Sequence, residues 1–359
     1  MNEAVIFHIV ESTATGTLSM LRLSANAQAA KNHRVKVIYS RRPETPDDLA
    51  ALFHPDVELI NVQMSGLKNK LFALKKIRSL LVEFEPDSVF LHSSFGGFIG
   101  RLAALGLKGH YYYLPHCISF MRQDVSGAKK LVFAALEWVG AVKDCTYVAC
   151  SQSEGYQIGK YIPFRPCVVI DNAVDTNKWL YEGQWSDREN VVVTVGQIRL
   201  QKDPVSFARI VERVLSTRND VKFIWVGDGD SDDRRILEQA GVEVTGWKTP
   251  DEVQAVLRSS RYYLSTALWE GMPVSPIEGM LSGCCAVLST CAGNVDIVED
   301  GVSGVLFGSV DEGVARLNSL LDGVSDPEEL AQAGQKHCSN NYSQQRYIQD
   351  FEELVSGGA

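Results

Sequence analysis

No stretch of this 359-residue chain reaches the ~18–20 consecutive apolar residues that a membrane-spanning helix requires. The opening residues, Met1-Asn2-Glu3-Ala4-Val5-Ile6-Phe7, carry no basic n-region and read directly as a first strand, so no signal peptide is expected. The eight cysteines form no disulfide framework. Cys284 and Cys285 are adjacent, and Cys145 and Cys150 lack C-x-x-C spacing, which argues against a zinc or redox site and for buried thiols in a reducing cytoplasm. There is no Walker A sequence, and Gly227-Asp228-Gly229 is not followed by the spacing of a dinucleotide fingerprint. The acidic run Asp228–Asp233 fails as a calcium loop, with Asp233 where glycine is needed and Gln239 where glutamate is needed, and reads as a solvated turn. A net charge of −9 argues against nucleic acid as the main partner.

What is present is a globular composition, with 45% hydrophobic and 22% charged residues, long enough for two domains of roughly 150–180 residues each. Residues 1–172 carry 19 Lys and Arg against 15 Asp and Glu, and the rest carries 16 against 29. A mildly basic first half joined to an acidic second half points to an anionic ligand or surface facing the first.

Short β-branched or apolar runs alternate with helical patterns throughout. Strands are expected at Val5–Val10, Val35–Tyr39, Val57–Val62, Ser88–Leu91, His110–Leu114, Tyr147–Cys150 and Cys167–Ile170. A second series follows at Val191–Val195, Lys222–Val226, Val242–Thr245, Tyr262–Ser265, Ala286–Ser289 and Gly304–Phe307. Such alternation predicts an α/β protein of two Rossmann-like, doubly wound parallel-sheet domains facing a central cleft, where ligands of open α/β folds bind. The first domain is expected over 1–175 and the second over 176–341, with the segment 342–359 returning as an amphipathic helix to the first. Asp171–Asp175 and Tyr181–Asn190 read as the linker.

The strongest local signal is Trp269-Glu270-Gly271-Met272-Pro273-Val274-Ser275-Pro276-Ile277-Glu278. Ser275 reads as a helix N-cap, Pro276 as the first helical residue and Glu278 as the partner in a capping box. Glu278 is therefore open to two readings, helix cap or ligand. A helix start aimed into a cleft offers N–H groups and a positive dipole end to a diphosphate. Glu270, ahead of it on the loop, has no such structural role.

Glu270 and Glu278, seven residues between them, resemble the paired glutamates of the retaining glycosyltransferases of family 4, which adopt the GT-B fold. Several further segments resemble that family in the same order. They are Val195-Gly196-Gln197-Ile198-Arg199-Leu200-Gln201-Lys202-Asp203-Pro204, Trp225–Gly229, Val244-Thr245-Gly246-Trp247 and Asn294–Gly304. In the first half, the small-residue loop Val10–Thr17, with Gly16, and the histidines His92 and His116 at strand ends fit the same pattern. Asp171–Asp175 resembles the interdomain Asn-Gly-Val-Asp segment, with Ala173 in place of the glycine.

The resemblance implies a nucleotide-sugar donor, with UDP favoured over GDP, and retention at the anomeric carbon. It assigns the donor diphosphate to Gly16, Arg199, Lys202, Val274 and Ser275, and the sugar to Glu270, Gly271, Met272 and Pro273. Glu278 is assigned to the ribose, Trp247 to the base and His116 to the transferred sugar. The catalytic pair would be His116 and Glu270. Many relatives have arginine where this chain has Gln197; Lys202 is retained, and Arg199 stands two residues after Gln197. No cofactor and no metal requirement are expected, the cations replacing a metal.

The acceptor implied is a glycan or a polyprenyl-diphosphate-linked glycan of bacterial surface polysaccharide synthesis. A cytoplasmic protein results, with peripheral contact to anionic inner-membrane lipid as one reading of the basic segment Lys68, Lys70, Lys75, Lys76 and Arg78, extended by Arg122, Lys129 and Lys130. The other reading is an ordinary surface helix on the stripe Leu67/Leu71/Leu74/Ile77/Leu81. A UDP-HexNAc 2-epimerase of the same architecture and a non-catalytic glycan-binding relative remain alternatives.

Overall fold

The computed structural model describes residues 3–13 and 15–356. Met1, Asn2, Ala14 of the small-residue loop, residues 357–359 of the C-terminal segment and the side chains of Thr15 and Leu67 lie outside that description. The chain divides into two compact units, one of Met1–Asn172 with Gln345–Ala359 and one of Ala173–Gln344.

The first unit contains seven strands: β1 Val5–Val10, β2 Arg34–Tyr39, β3 Glu58–Asn61, β4 Ser88–His92, β5 His110–Leu114, β6 Thr146–Ala149 and β7 Cys167–Val169. They form one sheet in the order β3-β2-β1-β4-β5-β6-β7, every pair parallel. The second unit contains β8 Glu189–Val195, β9 Lys222–Val226, β10 Val242–Val244, β11 Ser260–Ser265, β12 Cys285–Ser289 and β13 Val305–Phe307, in the order β10-β9-β8-β11-β12-β13, again parallel. All strands expected from the sequence form, with boundaries within two residues. Their central positions are buried on both faces, as parallel sheets covered by helices require.

In the second unit Phe207, Val211, Phe223, Trp225, Leu264, Val287 and Leu317 pack into one core. The helix Gln344–Val355 belongs to the other unit. It lays Tyr347, Phe351 and Leu354 on the first sheet, and Tyr112 donates its hydroxyl hydrogen to the Leu354 carbonyl at 2.6 Å.

Three local expectations fail, in whole or in part, for identifiable reasons. Tyr181–Asn190 is no linker, because Arg188 is buried and donates to the Leu257, Ser260 and Ser282 carbonyls, tying the segment to the second unit. The acidic run is solvated as expected but is a helix start and not merely a turn: Asp230 accepts from the backbone N–H groups of Asp232 and Asp233 and starts the helix Ser231–Gln239. In the helix Leu67–Phe84 the buried face is Ala73, Ile77, Leu80 and Leu81, while Leu71 is 67% exposed and drops out of the expected stripe.

Candidate functional site

In the second unit, β8 ends at Val195 and the chain turns through Gly196 at a φ of 149°, in the region that favours glycine. The loop that follows is fixed against the end of β9. Gly196 N–H donates to the Val226 carbonyl at 2.9 Å, and the Gly196 carbonyl accepts from Trp225 Nε1 at 2.9 Å. Ile198 N–H donates to Asp228 and its carbonyl accepts from Asp230 N–H, both at 3.0 Å. A Cβ on Gly227 would fall on the Gly196 carbonyl oxygen, so the two loops interlock only because Gly227 is glycine. From this frame the turn Leu200–Lys202 projects, and Thr266 Oγ1 holds its end by donating to the Lys202 and Asp203 carbonyls at 2.8 and 3.0 Å.

Lys202 Nζ lies 2.8 Å from Glu270 Oε1, with side chains only 14% and 10% exposed. Gln201 Nε2 donates to Glu270 Oε2 at 3.1 Å and to the Trp269 carbonyl at 2.9 Å. Burial lowers the Lys202 pKa, but the Glu270 carboxylate and the Tyr263 hydroxyl together outweigh it and hold the ammonium above its usual value. The loop Glu270–Pro273 is buried, so Gly271, Met272 and Pro273 present backbone groups. Gly293, at a φ of 86°, lies against it, and a Cβ there would meet Glu270 Cβ at 2.8 Å.

The helix after this loop begins at Val274 and runs to Leu281, with Pro273 as its cap residue and no side-chain cap bond. The expected capping box of Ser275 and Glu278 therefore does not form. Ser275 lies inside the first turn, and its Oγ pairs with the Tyr263 hydroxyl at 2.9 Å. Glu278 is one turn further along, and its carboxylate makes no hydrogen bond or ion pair with the described residues. Burial pushes the Glu278 carboxyl up to about 8, against the opposing charge of Lys178. With the cap reading removed, Glu278 is a poorly solvated acid whose carboxylate has no partner among the described residues.

Arg199 and Gln197 are both exposed on the interlocked loop; the Arg199 carbonyl accepts from Lys202 N–H at 2.8 Å, and neither side chain is bonded to another described residue. Arg199 is close enough to Lys202 to oppose its charge. Trp247 is 66% exposed and follows Gly246, whose φ is 73°.

In the first unit, Gly16 lies in the first turn of the helix Thr15–Ala30 and not in an open loop, and a Cβ there would meet nothing. His116 follows β5 with a φ of 52°, and Cys117 follows at 90°. Glu154, fully buried, holds this unusual backbone by accepting from Cys117 N–H at 2.8 Å and Ile118 N–H at 2.7 Å. His92 does not face an open site as expected. It is fully buried, with Nε2 3.0 Å from His8 Nδ1 and Nδ1 3.0 Å from His116 Nε2. His8 in turn places Nε2 2.7 Å from Gln28 Oε1.

Sequence reasoning missed Gln201, Tyr263, Lys178, Gly293, Glu154, His8 and Gln28. Only Gln201 lay inside a segment singled out for its resemblance to the family. The others lie on strands, helices and loops far in sequence from the residues they act on, and no local pattern marks them. Arg122 is bonded to Asp124 at 2.9 Å, so it does not stand free beside Lys129 and Lys130.

The sequence matches the family described as Glycosyltransferase Family 4 over residues 16–178 and that described as Glycosyl transferases group 1 over residues 189–323. A relative named UDP-Gal:alpha-D-GlcNAc-diphosphoundecaprenol alpha-1,3-galactosyltransferase, from Escherichia coli, is 26% identical over 317 residues, covering 82% of this chain and 79% of its own. A Campylobacter jejuni alpha-1,4-N-acetyl-D-galactosaminyltransferase, named for an undecaprenol-diphosphate-linked glycan, is 25% identical over 43% of this chain and 45% of its own. Among solved structures, sucrose-phosphate synthase from Thermosynechococcus elongatus superposes with a TM-score of 0.82 at 13% identity, over 99% of each chain. Anabaena HepE in complex with UDP and glucose does so at 0.80 and 18% identity, over 99% of this chain and 100% of its own. The motif order, the two parallel-sheet units and these matches agree: the chain belongs to the group 1, family 4 glycosyltransferases and has the GT-B fold.

Proposed function

We propose that this glycosyltransferase moves a sugar from a UDP-sugar to a lipid-diphosphate-linked glycan, with retention at the anomeric carbon and without a required metal. The observation that carries the reading is the buried Lys202–Glu270 pair with the charge of Arg199 close to it, in the same unit as Glu278, whose carboxylate has no partner among the described residues. The names of the Escherichia coli and Campylobacter jejuni relatives support the donor and acceptor classes.

In this reading Lys202 and Arg199 receive the donor diphosphate, together with the backbone N–H groups of Val274 and Ser275 at the helix start. Their positive charge stabilises the departing diphosphate, the electrostatic work that a metal performs elsewhere. Arg199 takes the place of the arginine that many relatives carry at the position of Gln197. Glu270 and the backbone of Gly271, Met272 and Pro273 hold the sugar as positive charge develops at its anomeric carbon. Glu278 accepts from the ribose hydroxyls, Trp247 covers the base, and His116 meets a sugar hydroxyl.

No helix among the described residues is long and apolar enough to cross a membrane. Peripheral attachment is supported instead by the helix Gly127–Gly140, which exposes Leu131, Val132, Leu136, Trp138 and Val139 next to Lys129 and Lys130. Apolar residues flanked by lysines suit the interface of an anionic bilayer on the cytoplasmic side.

The test is transfer by EDTA-treated protein from UDP- and GDP-sugars to an undecaprenyl-diphosphate-linked GlcNAc acceptor, with the product's anomeric configuration read by NMR. Retained configuration and full rate without metal are expected. Strict dependence on a divalent ion, or an inverted product, overturns the mechanism, and conversion of UDP-HexNAc without acceptor points to the epimerase.

A further inference from the structure

Gln28, His8, His92 and His116 form one continuous polar chain that crosses three neighbouring strands inside an otherwise apolar layer. From Gln28 Oε1 the contacts run to His8 Nε2 at 2.7 Å, from His8 Nδ1 to His92 Nε2 at 3.0 Å, and from His92 Nδ1 to His116 Nε2 at 3.0 Å. Successive imidazole planes are nearly parallel, at 24° and 9°. Gln28, His8 and His92 are 3%, 0% and 0% exposed, and Phe90 stacks on His8. His116 alone is partly exposed, and its Nδ1 makes no bond to the described residues.

Burial pushes His8 and His116 down to about 4, and burial with the neighbouring imidazoles takes His92 well below its usual value. Each ring is therefore neutral near pH 7 and carries one N–H and one bare nitrogen. Three neutral imidazoles in series have only two arrangements without a proton clash, all donating one way or all donating the other. The group at the buried end selects between them. Gln28 turns its carbonyl oxygen to His8, its own Nε2 being buried without a partner among the described residues, and an oxygen only accepts, so His8 Nε2 carries hydrogen. His8 Nδ1 is then bare and accepts from His92 Nε2–H, and His92 Nδ1 is bare and accepts from His116 Nε2–H.

We propose that Gln28, acting through His8 and His92, fixes the tautomer of His116 with Nε2 protonated and Nδ1 bare, so that His116 meets a sugar hydroxyl as an acceptor at Nδ1. Gln28, His8 and His92 are positioning residues, since none reaches the surface. Glu154 completes the device by clamping the backbone at Cys117 and Ile118, so the ring's place and its proton are set by separate groups. The tautomer assignment stands on the wire alone. The sugar contact rests on the proposed function of His116.

The experiment is a long-range proton–nitrogen NMR spectrum of the full chain labelled with 15N-histidine, with His116 assigned by His116→Gln. Hydrogen on Nε2 is expected in the wild type and in Gln28→Glu, whose carboxylate keeps an acceptor at the buried end. In folded Gln28→Leu, the Nδ1–H form is expected to appear and kcat/KM to fall about tenfold as the productive tautomer is depopulated. Hydrogen on Nδ1 in the wild type, or an unchanged tautomer in Gln28→Leu, overturns the proposal. Should Gln28→Leu fail to fold, the wild-type and Gln28→Glu spectra decide it. Addition of UDP-sugar separates the two readings: a His116 signal that does not move counts against its sugar contact and leaves the wire intact.

Discussion

Lys202 and Glu270 are paired at 2.8 Å in the second unit, both nearly removed from solvent, on two loops that the sequence separates by a whole βαβαβ segment. Removing either partner leaves a buried charge alone, which costs about 3–5 kcal/mol. Lys202→Ala and Glu270→Ala should each lower the melting temperature and reduce turnover by orders of magnitude. The double variant Lys202→Met/Glu270→Leu should regain most of the stability and none of the activity. A double variant that remains active would remove both residues from the chemistry.

Glu278 predicts opposite effects on stability and on donor binding. Its folded pKa of about 8 lies above the ordinary carboxyl value of 4.5, so the folded chain holds the proton more tightly than the unfolded chain between those limits. Stability attributable to this group therefore falls as pH rises from 4.5 to 8, and the penalty is complete above 8. Glu278→Gln should melt higher than the wild type at pH 8.5, by roughly 2–4 °C for each kcal/mol recovered, while binding the donor more weakly. Melting curves across pH, with and without UDP, check both halves. A lower melting temperature for the glutamine variant at pH 8.5 would contradict the sign.

The Arg199 side chain is exposed and makes no bond to the described residues, so its loss should cost activity without costing stability. A charge-assisted hydrogen bond contributes about 1.5–3 kcal/mol, which corresponds to roughly 10–100-fold in kcat/KM for Arg199→Ala. Placing arginine two residues earlier, where many relatives carry it, in Gln197→Arg/Arg199→Ala should recover part of the rate. An unaffected Arg199→Ala enzyme would leave Lys202 as the sole cation on the diphosphate.

Gly227→Ala tests the frame behind these cations. A methyl group there collides with the Gly196 carbonyl at a φ of 143°, so the loop bearing Arg199 and Lys202 must shift. Destabilisation of a few kcal/mol is expected, with a larger loss of kcat than simple unfolding at the assay temperature explains. Activity and melting temperature measured on the same preparation separate the two.

His8, His92 and His116 make the first unit sensitive to acid. Their folded pKa values lie below 6.5, two of them at about 4, so the unfolded chain binds more protons as pH falls. The stability they contribute is present above pH 6.5 and is lost between 6.5 and 4. The groups packed around them add little opposing charge: Gln28 and Phe90 are neutral, and Glu154 is engaged with backbone. Chemical denaturation at pH 7 and pH 4.5 should show the loss, and replacing His8 with leucine in the Gln28→Leu background should make the pH slope shallower.

The sheets were legible because β-branched runs such as Val191–Val195 and apolar runs such as Lys222–Val226 report burial through composition alone. The motif at Glu270 was legible because its residues are contiguous. The capping box was misread because Ser275 and Glu278 have the right spacing for a cap, and spacing does not reveal that Tyr263, twelve residues earlier, captures the serine. His8 was invisible for a different reason. It sits mid-strand where an apolar residue would do, and its partner His92 is 84 residues away. Periodicity tells which face a residue occupies, but a bond between strands depends on sheet order, which the local pattern does not encode.

The helix Gln344–Val355 has a consequence for the order of synthesis. Its Phe351 packs against Phe90 of the first sheet at 5.4 Å between ring centres, and its Leu354 carbonyl receives Tyr112 from a position 242 residues earlier. At a ribosomal rate of roughly 5–20 residues per second, on the order of 10–50 s pass between the emergence of that sheet face and the arrival of its cover. During that interval a nascent chain carries an aromatic surface with no lid of its own. The first unit, although begun first, is the last to be finished, and a stalled or truncated product should be a client for chaperones even when the second unit has folded.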